Sequence, residues 1–428
     1  MKILVLGSGA REHAIVKALI RTGTPASNII VAPGNAGMAQ EVQCVAMDAN
    51  DPKLVTEFAT GNKIELAIIG PEAPLVAGVS DALRAANIPV FGPSQKAAAL
   101  EGSKSFAKEI MAAADVPTGM AHECTTMQEV EAALDSFGAP YVVKADGLAA
   151  GKGVIVTSDR DAALEHARKF IDMGILVEEF LDGEEVSLFF LCDGLTVVPL
   201  TPAQDFKRAY DGDKGPNTGG MGAYSPLPWL PAGFVEEVQR TVAQPTVDEM
   251  ARLGEPFIGL LYCGLIVTKR GIRVIEFNAR FGDPETQVVL RRLITPLALL
   301  LHSAATGDLE TAPEPVFSKD VAITVVLASE GYPDTAAPDR PIHGLHKAAE
   351  IEGVEICHAA TALSEKSVRA KAEGKVDEHL MATGGRVLSV VAVGKDFHGA
   401  RKHAYEAIEQ IRLEGSHFRT DIAKKVAN

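Results

Sequence analysis

Although 47% of the 428 residues are hydrophobic, the chain contains no run of about 18 consecutive apolar residues, so no membrane-spanning helix is expected. It also lacks a basic excess. Its 41 Lys and Arg stand against 56 Asp and Glu, giving a net charge of −15, which argues against a nucleic-acid surface. A pocket for a phosphorylated small molecule remains open, because that needs only local amides and a few cations. Cysteine is scarce: Cys44, Cys124, Cys192, Cys263 and Cys357 lie far apart with no Cys-x-x-Cys spacing. They read as free thiols in a reducing cytoplasm. Met1 to Leu6 reads as a buried strand and not a secretory leader, since Gly7 to Glu12 interrupts the apolar run. No internal repeat or low-complexity tail is present.

From Met1 to about Leu100, short apolar runs (Ile3 to Leu6, Ile29 to Ala32, Leu66 to Ile69, Val90 to Gly92) alternate with helix-length segments. This βαβ rhythm predicts a parallel sheet covered by helices. The runs end in turn residues, and ligands of open α/β sheets bind at such carboxyl ends. Helices follow at Phe106 to Ala114 and Met127 to Phe137. From Tyr141 to about Ala312, strand-like alternation predicts an antiparallel α+β region. Pro313-Glu314-Pro315 marks the next boundary, and the remainder mixes strands with a final helix from Phe397 to Ile411. The expected fold is therefore multidomain, α/β and α+β. It comprises an N-terminal parallel α/β domain over 1–101, a central region over 102–315 with a subdomain near 118–188, and a small mixed C-terminal domain over 316–428.

Gly7-Ser8-Gly9-Ala10-Arg11-Glu12 follows a strand and opens a helix, which suits a phosphate at a helix N-terminus. Nicotinamide dinucleotide binding is not expected, because the third glycine is missing and the second strand ends without an acid for a ribose hydroxyl. Tyr141 to Val154 places Lys144 at a strand end, followed by a loop containing Gly147, Gly151, Lys152 and Gly153. Such a loop can fold its amides over phosphates beside a fixed positive charge. It is not a Walker loop, since Gly153 follows Lys152 where Ser or Thr is required. Leu176 to Val186, with acids at both ends, can offer backbone groups to an adenine edge and a carboxylate to a ribose. Two further stretches, Ala203 to Arg208 and Gly215 to Ala223, can form a substrate loop that orders on binding.

Ile275-Glu276-Phe277-Asn278-Ala279-Arg280-Phe281-Gly282-Asp283-Pro284-Glu285-Thr286-Gln287 carries the strongest signal. On a strand of period two, Glu276, Asn278 and Arg280 share one face while Ile275 and Phe277 point away. A carboxylate and an amide oxygen are hard ligands suited to Mg²⁺ bound to substrate phosphates. An arginine beside them suits a carboxylate or acyl phosphate.

In their order along the chain, Lys104, Lys144 with its glycine loop, Glu178 to Leu181, Glu185, Glu276 and Asn278 resemble an ATP-grasp enzyme. The stretches Val143 to Val154, Gly215 to Ser225, Arg280 to Gln287, Gly70 to Leu75 and Gly384-Gly385-Arg386-Val387 resemble the phosphoribosylamine-glycine ligase family, and the likeness runs from Lys2 to about Arg419. Three features depart from the family pattern: Ala10 stands where glycine is usual, the connection from Phe170 to Leu176 is short, and Cys263 to Ile266 carries no acid. This ligase subfamily shares the last of these, so the metal is expected to keep water or phosphate ligands.

The resemblance implies that ATP, glycine and 5-phosphoribosylamine give glycinamide ribonucleotide, ADP and phosphate, early in purine synthesis. Lys104, Lys144, Gly147, Gly151, Lys152 and Gly153 would contact ATP phosphates, Glu178, Glu179, Phe180 and Leu181 the adenine, and Glu185 the ribose. Glu276 and Asn278 would hold Mg²⁺ or Mn²⁺. Arg280, Lys144 and Asp283 would be catalytic, with Arg280 also on the substrate carboxylate. Gly9, Asn35, Gly37, Glu72 and Pro74 would hold the sugar phosphate, and Asp205, Lys207, Thr218 and Gly219 would complete the substrate site. A monomer is expected, in transient contact with the enzyme that supplies phosphoribosylamine. The competing readings are an ATP-grasp ligase for another acid, a nicotinamide-dependent oxidoreductase and a non-catalytic nucleotide sensor.

Overall fold

The computed structural model describes residues 1–147, 153–337, 339–372 and 380–427. Gly151 and Lys152 lie outside these described residues. Ile3–Gly7, Ile29–Pro33, Gln43–Cys44, Leu66–Ile69 and Val90–Phe91 form a parallel sheet. Ile3–Gly7 is central, flanked by Ile29–Pro33 on one side and Leu66–Ile69 on the other. The strand order therefore reverses beside this strand, and the crevice at its carboxyl end opens next to Gly7-Ser8-Gly9. Its residues are fully buried on both faces, which explains an apolar run without alternation.

The central region contains two antiparallel sheets. Ala121–Cys124, Ile175–Glu178, Tyr141–Ala145 and Val154–Thr157 form one, packed on helices Met127–Phe137 and Arg160–Phe170. The short connection after Phe170 is a single turn, Ile171–Met173, closed by Gly174 at φ 82°. The second sheet pairs Glu184–Asp193 with Ile258–Thr268, and Ile258–Thr268 with Gly271–Asn278.

Two findings differ from the sequence reading. Ala203 to Ala223 does not form plain loops. Arg208–Tyr210 pairs with Lys214–Asn217, and the buried Arg419 guanidinium ties that ribbon down through Asp213 and the Arg208 carbonyl. Strands Gln204–Asp205 and Gly222–Ser225 also join the C-terminal sheet, where Gly222 pairs with Val325. Glycines obscure the strand pattern here, and the pairing partners are a hundred residues away in sequence, so tertiary contacts decide the outcome. The C-terminal sheet is completed by Val321–Ala328, Arg386–Gly394 and Val354–His358, with helix Phe397–Gln410 against it.

Candidate active site

Glu276 and Asn278 sit two apart on Gly271–Asn278 and share a face. Arg280 does not extend that face, because the strand ends at Asn278 and Arg280 lies in the bend beyond. Ile275 also fails to follow the expected alternation. The register passes from Glu276 opposite Gly264 to Val274 opposite Leu265, leaving Ile275 in a bulge, half-buried. Gly264 makes room for the metal-type ligand, since a Cβ there would lie 3.1 Å from Glu276 Cγ and 3.3 Å from the Glu276 carbonyl. Among the described residues no group of three or more His, Cys, Asp or Glu is arranged to hold a metal ion. Two hard oxygens in a space kept open by glycine fit a divalent cation that takes its other ligands from phosphate and water.

Lys144 is buried. Its Nζ lies 2.8 Å from Glu178 Oε2 and donates to the Ile275 carbonyl at 3.2 Å, so the bulge receives the lysine. Lys108 approaches the same carboxylate at 3.6 Å and bonds Thr118 and the Gly119 carbonyl. Glu178 therefore spends its side chain holding two cations, and stripping either partner from such a buried pair costs about 3–5 kcal/mol. Lys104 begins helix Lys104–Ala113 and donates to the Gly147 carbonyl at 3.0 Å, while Asp146 accepts its backbone N–H. Burial pushes the Lys104 amine below the ordinary lysine value, opposed first by Glu276. Lys144 adds to the lowering, so the phosphate-type lysines and the metal strand share one electrostatic neighbourhood. Glu179 exchanges backbone and side-chain bonds with Met120, and Phe180 stands 43% exposed at the cleft edge, followed by Leu181.

Arg280 is held by two carboxylates, Glu101 at 2.8 Å and Glu72 at 3.4 Å. Burial opposes its charge, but these acids keep the guanidinium firmly protonated. Glu101 also accepts the Ala279 N–H at 2.8 Å. The sequence reading missed Glu101; its place just before Gly102-Ser103-Lys104 was the available signal. Glu72 opens helix Glu72–Val76, with Pro74 buried in its first turn. Asp283 accepts from Gln287 at 2.9 Å and lies 3.4 Å from Arg386. Burial raises the Asp283 carboxyl, yet Arg386 and Arg11 outweigh it and hold the group below its usual value.

At the N-terminal turn, Glu12 reaches back to the Gly9 N–H at 2.6 Å, and a Cβ at Gly7, Gly9 or Gly70 would strike this side chain. The glycines of this turn therefore make room for a carboxylate. Asn35 uses both ends of its amide. It accepts the Gly37 and Met38 N–H groups and donates to the Ser8 and His358 carbonyls at 2.8 Å. Gly37 lies so close to the His13 and His358 rings that any side chain there would collide with them. Lys207 bonds Glu185 at 2.6 Å and lies 4.0 Å from Asp205. Burial pushes the Asp205 carboxyl up to about 7, against the pull of Lys207. Glu276 is among the charges acting on Asp205 and Lys207. Thr218 bonds the Lys207 carbonyl through its N–H and its hydroxyl, and Gly219 N–H donates to Tyr332. Glu285, also missed, joins Ser187 and Tyr262 in a buried hydroxyl cluster nearby.

The phosphoribosylglycinamide synthetase family matches the chain by its N domain over residues 1–101, its ATP-grasp (A) domain over 102–286 and its C domain over 322–425. The chain belongs to this family. A phosphoribosylamine–glycine ligase of Leifsonia xyli is 62% identical over 99% of this chain and 100% of its own length. That of Mycobacterium tuberculosis is 48% identical over 100% and 99%. The crystal structure of the Thermotoga maritima ligase superposes with a TM-score of 0.83 at 30% identity, covering 98% of this chain and 100% of that one. A biotin carboxylase domain from Hydrogenobacter thermophilus, crystallised with MgADP, shares the fold at a TM-score of 0.70 and 16% identity, covering 97% of this chain and 91% of its own. The chain is thus an ATP-grasp ligase. Among its described residues no helix is long and apolar enough to cross a membrane.

Proposed function

We propose that this chain joins glycine to 5-phosphoribosylamine at the expense of ATP, by way of glycyl phosphate, giving 5-phosphoribosylglycinamide, ADP and phosphate in purine biosynthesis. One observation supports the reading: the Lys104 amine feels the charges of Glu276 and Lys144, and Asn278 shares the strand face of Glu276, with Arg280 in the bend just beyond that strand. The family membership supplies the substrates.

Lys104 and Lys144, with the amides of Gly147 and Gly153, bind the nucleotide phosphates. The backbone from Glu178 to Leu181 takes the adenine edge and Glu185 the ribose. Glu276 and Asn278 would hold Mg²⁺ or Mn²⁺, which would supply charge neutralisation to the phosphoryl group. A glycine carboxylate oxygen attacks the γ-phosphorus and ADP departs, with the two lysines and Arg280 absorbing the charge that develops. Arg280 is held for this by its ion pairs with Glu101 and Glu72.

The amine of phosphoribosylamine then attacks the acyl carbon. The C–O bond to phosphate breaks, and the proton leaves with the departing phosphate. Asp283, held ionised beside Arg386 and Arg11, accepts a hydrogen bond from the amine. Gly9, Asn35, Gly37, Glu72 and Pro74 shape the sugar-phosphate site, and Asp205, Lys207, Thr218 and Gly219 complete the wall facing glycine. We assign 1–101, 102–315 and 316–428 as the three domains, with a nucleotide lid near 118–188, in a cytoplasmic monomer that meets the amine-supplying enzyme transiently.

The test is incorporation of labelled glycine into product. Incorporation that requires both ATP and freshly generated phosphoribosylamine is expected. Phosphate release driven by another acid in place of glycine would contradict the reading.

A further inference from the structure

Arg386 opens the strand Arg386–Gly394, far in sequence from every residue assigned above. Its Nη1 donates to the Gly219 carbonyl at 2.6 Å, to the Asp283 carbonyl at 2.9 Å and to the Gly220 carbonyl at 3.4 Å, and it lies 3.4 Å from Asp283 Oδ1. Tyr332 fixes the preceding peptide, accepting the Gly219 N–H at 2.9 Å, so Gly219 is held through both its N–H and its carbonyl. Gly385 is placed so that any side chain would strike the Tyr332 ring, which keeps these two groups of the C-terminal segment together. Gly220 has φ 110°, and a side chain there would collide with Pro284, so the substrate loop and the Asp283–Pro284 turn touch directly. One guanidinium therefore closes three chain regions around the Asp283 carboxylate. The other oxygen of that carboxylate faces the N-terminal turn, 3.8 Å from where a Cβ of Gly9 would stand.

We propose that Arg386 is a positioning residue for the amine step, holding Asp283 and the Gly219–Gly220 peptide in the geometry that phosphoribosylamine requires. This rests on the reading given under Proposed function. Arg386 is not among the residues assigned above to ATP or to glycine. Its action runs through Asp283: the guanidinium fixes one side of the carboxylate turn and leaves the opposite oxygen for the incoming amine. Its side chain is 24% exposed, so it is not a core arginine whose removal would open a cavity. A displaced carboxylate is costly to the rate alone, because misplacing a reacting group by about 1 Å costs roughly 100-fold.

Arg386→Met, Arg386→Lys, Asp283→Asn and the double variant Arg386→Met/Asp283→Asn test this by steady-state ligation kinetics and thermal melting. Arg386→Met should lower kcat about 100-fold while KM for ATP stays within about twofold, a loss larger than its fall in Tm accounts for. Arg386→Lys, which keeps a point charge without the fork, should recover part of the rate. The double variant should be no slower than the worse single variant, since both changes break one linkage. Three results overturn the proposal: an unaffected Arg386→Met rate, a rate loss that merely tracks a fall in Tm and a rise in every KM, or additive losses in the double variant. The unaltered chain assayed alongside keeps the two questions apart. If it makes no product, the proposed function fails; if it does and Arg386→Met is unaffected, only the positioning role fails.

Discussion

Glu276 was legible in the sequence because its chemistry is local: a carboxylate and an amide two residues apart on a strand present two hard oxygens to one side. Arg280 was legible as a type but not in its geometry. Its partner Glu101 lies far away in sequence, in helix Ala99–Gly102, and the bulge at Ile275 depends on register with Gly264. Lys144 shows the reverse. The sequence supplied a lysine before a glycine loop, and the fold buries it against Glu178, 34 positions on. At this scale the account predicts that Glu276→Ala lowers turnover by about 100-fold or more while the melting temperature holds. Near-normal turnover in that variant would remove the metal assignment.

The paired strands Ile258–Thr268 and Gly271–Asn278 form the element on which the metal-type ligands depend. They fall within the region from Tyr141 to about Ala312 whose alternation predicts antiparallel strands; the part of the first strand near Ile258 is buried on both faces and shows no period. The ribbon between Asp205 and Gly222 was not legible as strands, because its pieces are two to four residues long, too short to show a period. Gly264 provides the sharpest test of this element. Gly264→Ala should cost about 1–3 kcal/mol by overpacking and should push Glu276 out of line, so that activity falls further than stability alone explains. Melting and steady-state rates measured on one preparation check this; full activity would show that the space opposite Glu276 is not needed.

Across the whole molecule, the N-terminal and C-terminal regions meet at a buried histidine pair. His13 Nδ1 accepts the His358 N–H, and His13 bonds Glu41, which also pairs with Lys17. Nothing local in the sequence indicates that helix Ala10–Arg21 would reach His358 across 345 residues. Burial drives His358 down to about 3, so it is neutral in the fold and the unfolded chain takes up its proton first. Its stabilising effect is complete above the ordinary histidine value near 6.5 and shrinks as pH falls toward 3. Burial tends to raise Glu41, but His13 and Lys17 overcome this and bring it to about 2. Its contribution is present above about 4.5 and is lost as pH falls below that. Acid therefore loosens this joint in two steps. From pH 6.5 to 5 the His358 term alone amounts to about 2 kcal/mol. His358→Gln should flatten the fall in melting temperature over that window, and an unchanged slope would contradict the assignment.

The central claim is that a glycine carboxylate oxygen attacks the terminal phosphorus of ATP before any bond to the amine forms. Glycine carrying heavy oxygen in its carboxylate tests this directly when ligation runs with ATP and phosphoribosylamine and the released phosphate is analysed by mass. The account predicts that one heavy oxygen per turnover appears in phosphate. Phosphate free of heavy oxygen, with product still formed, would contradict it.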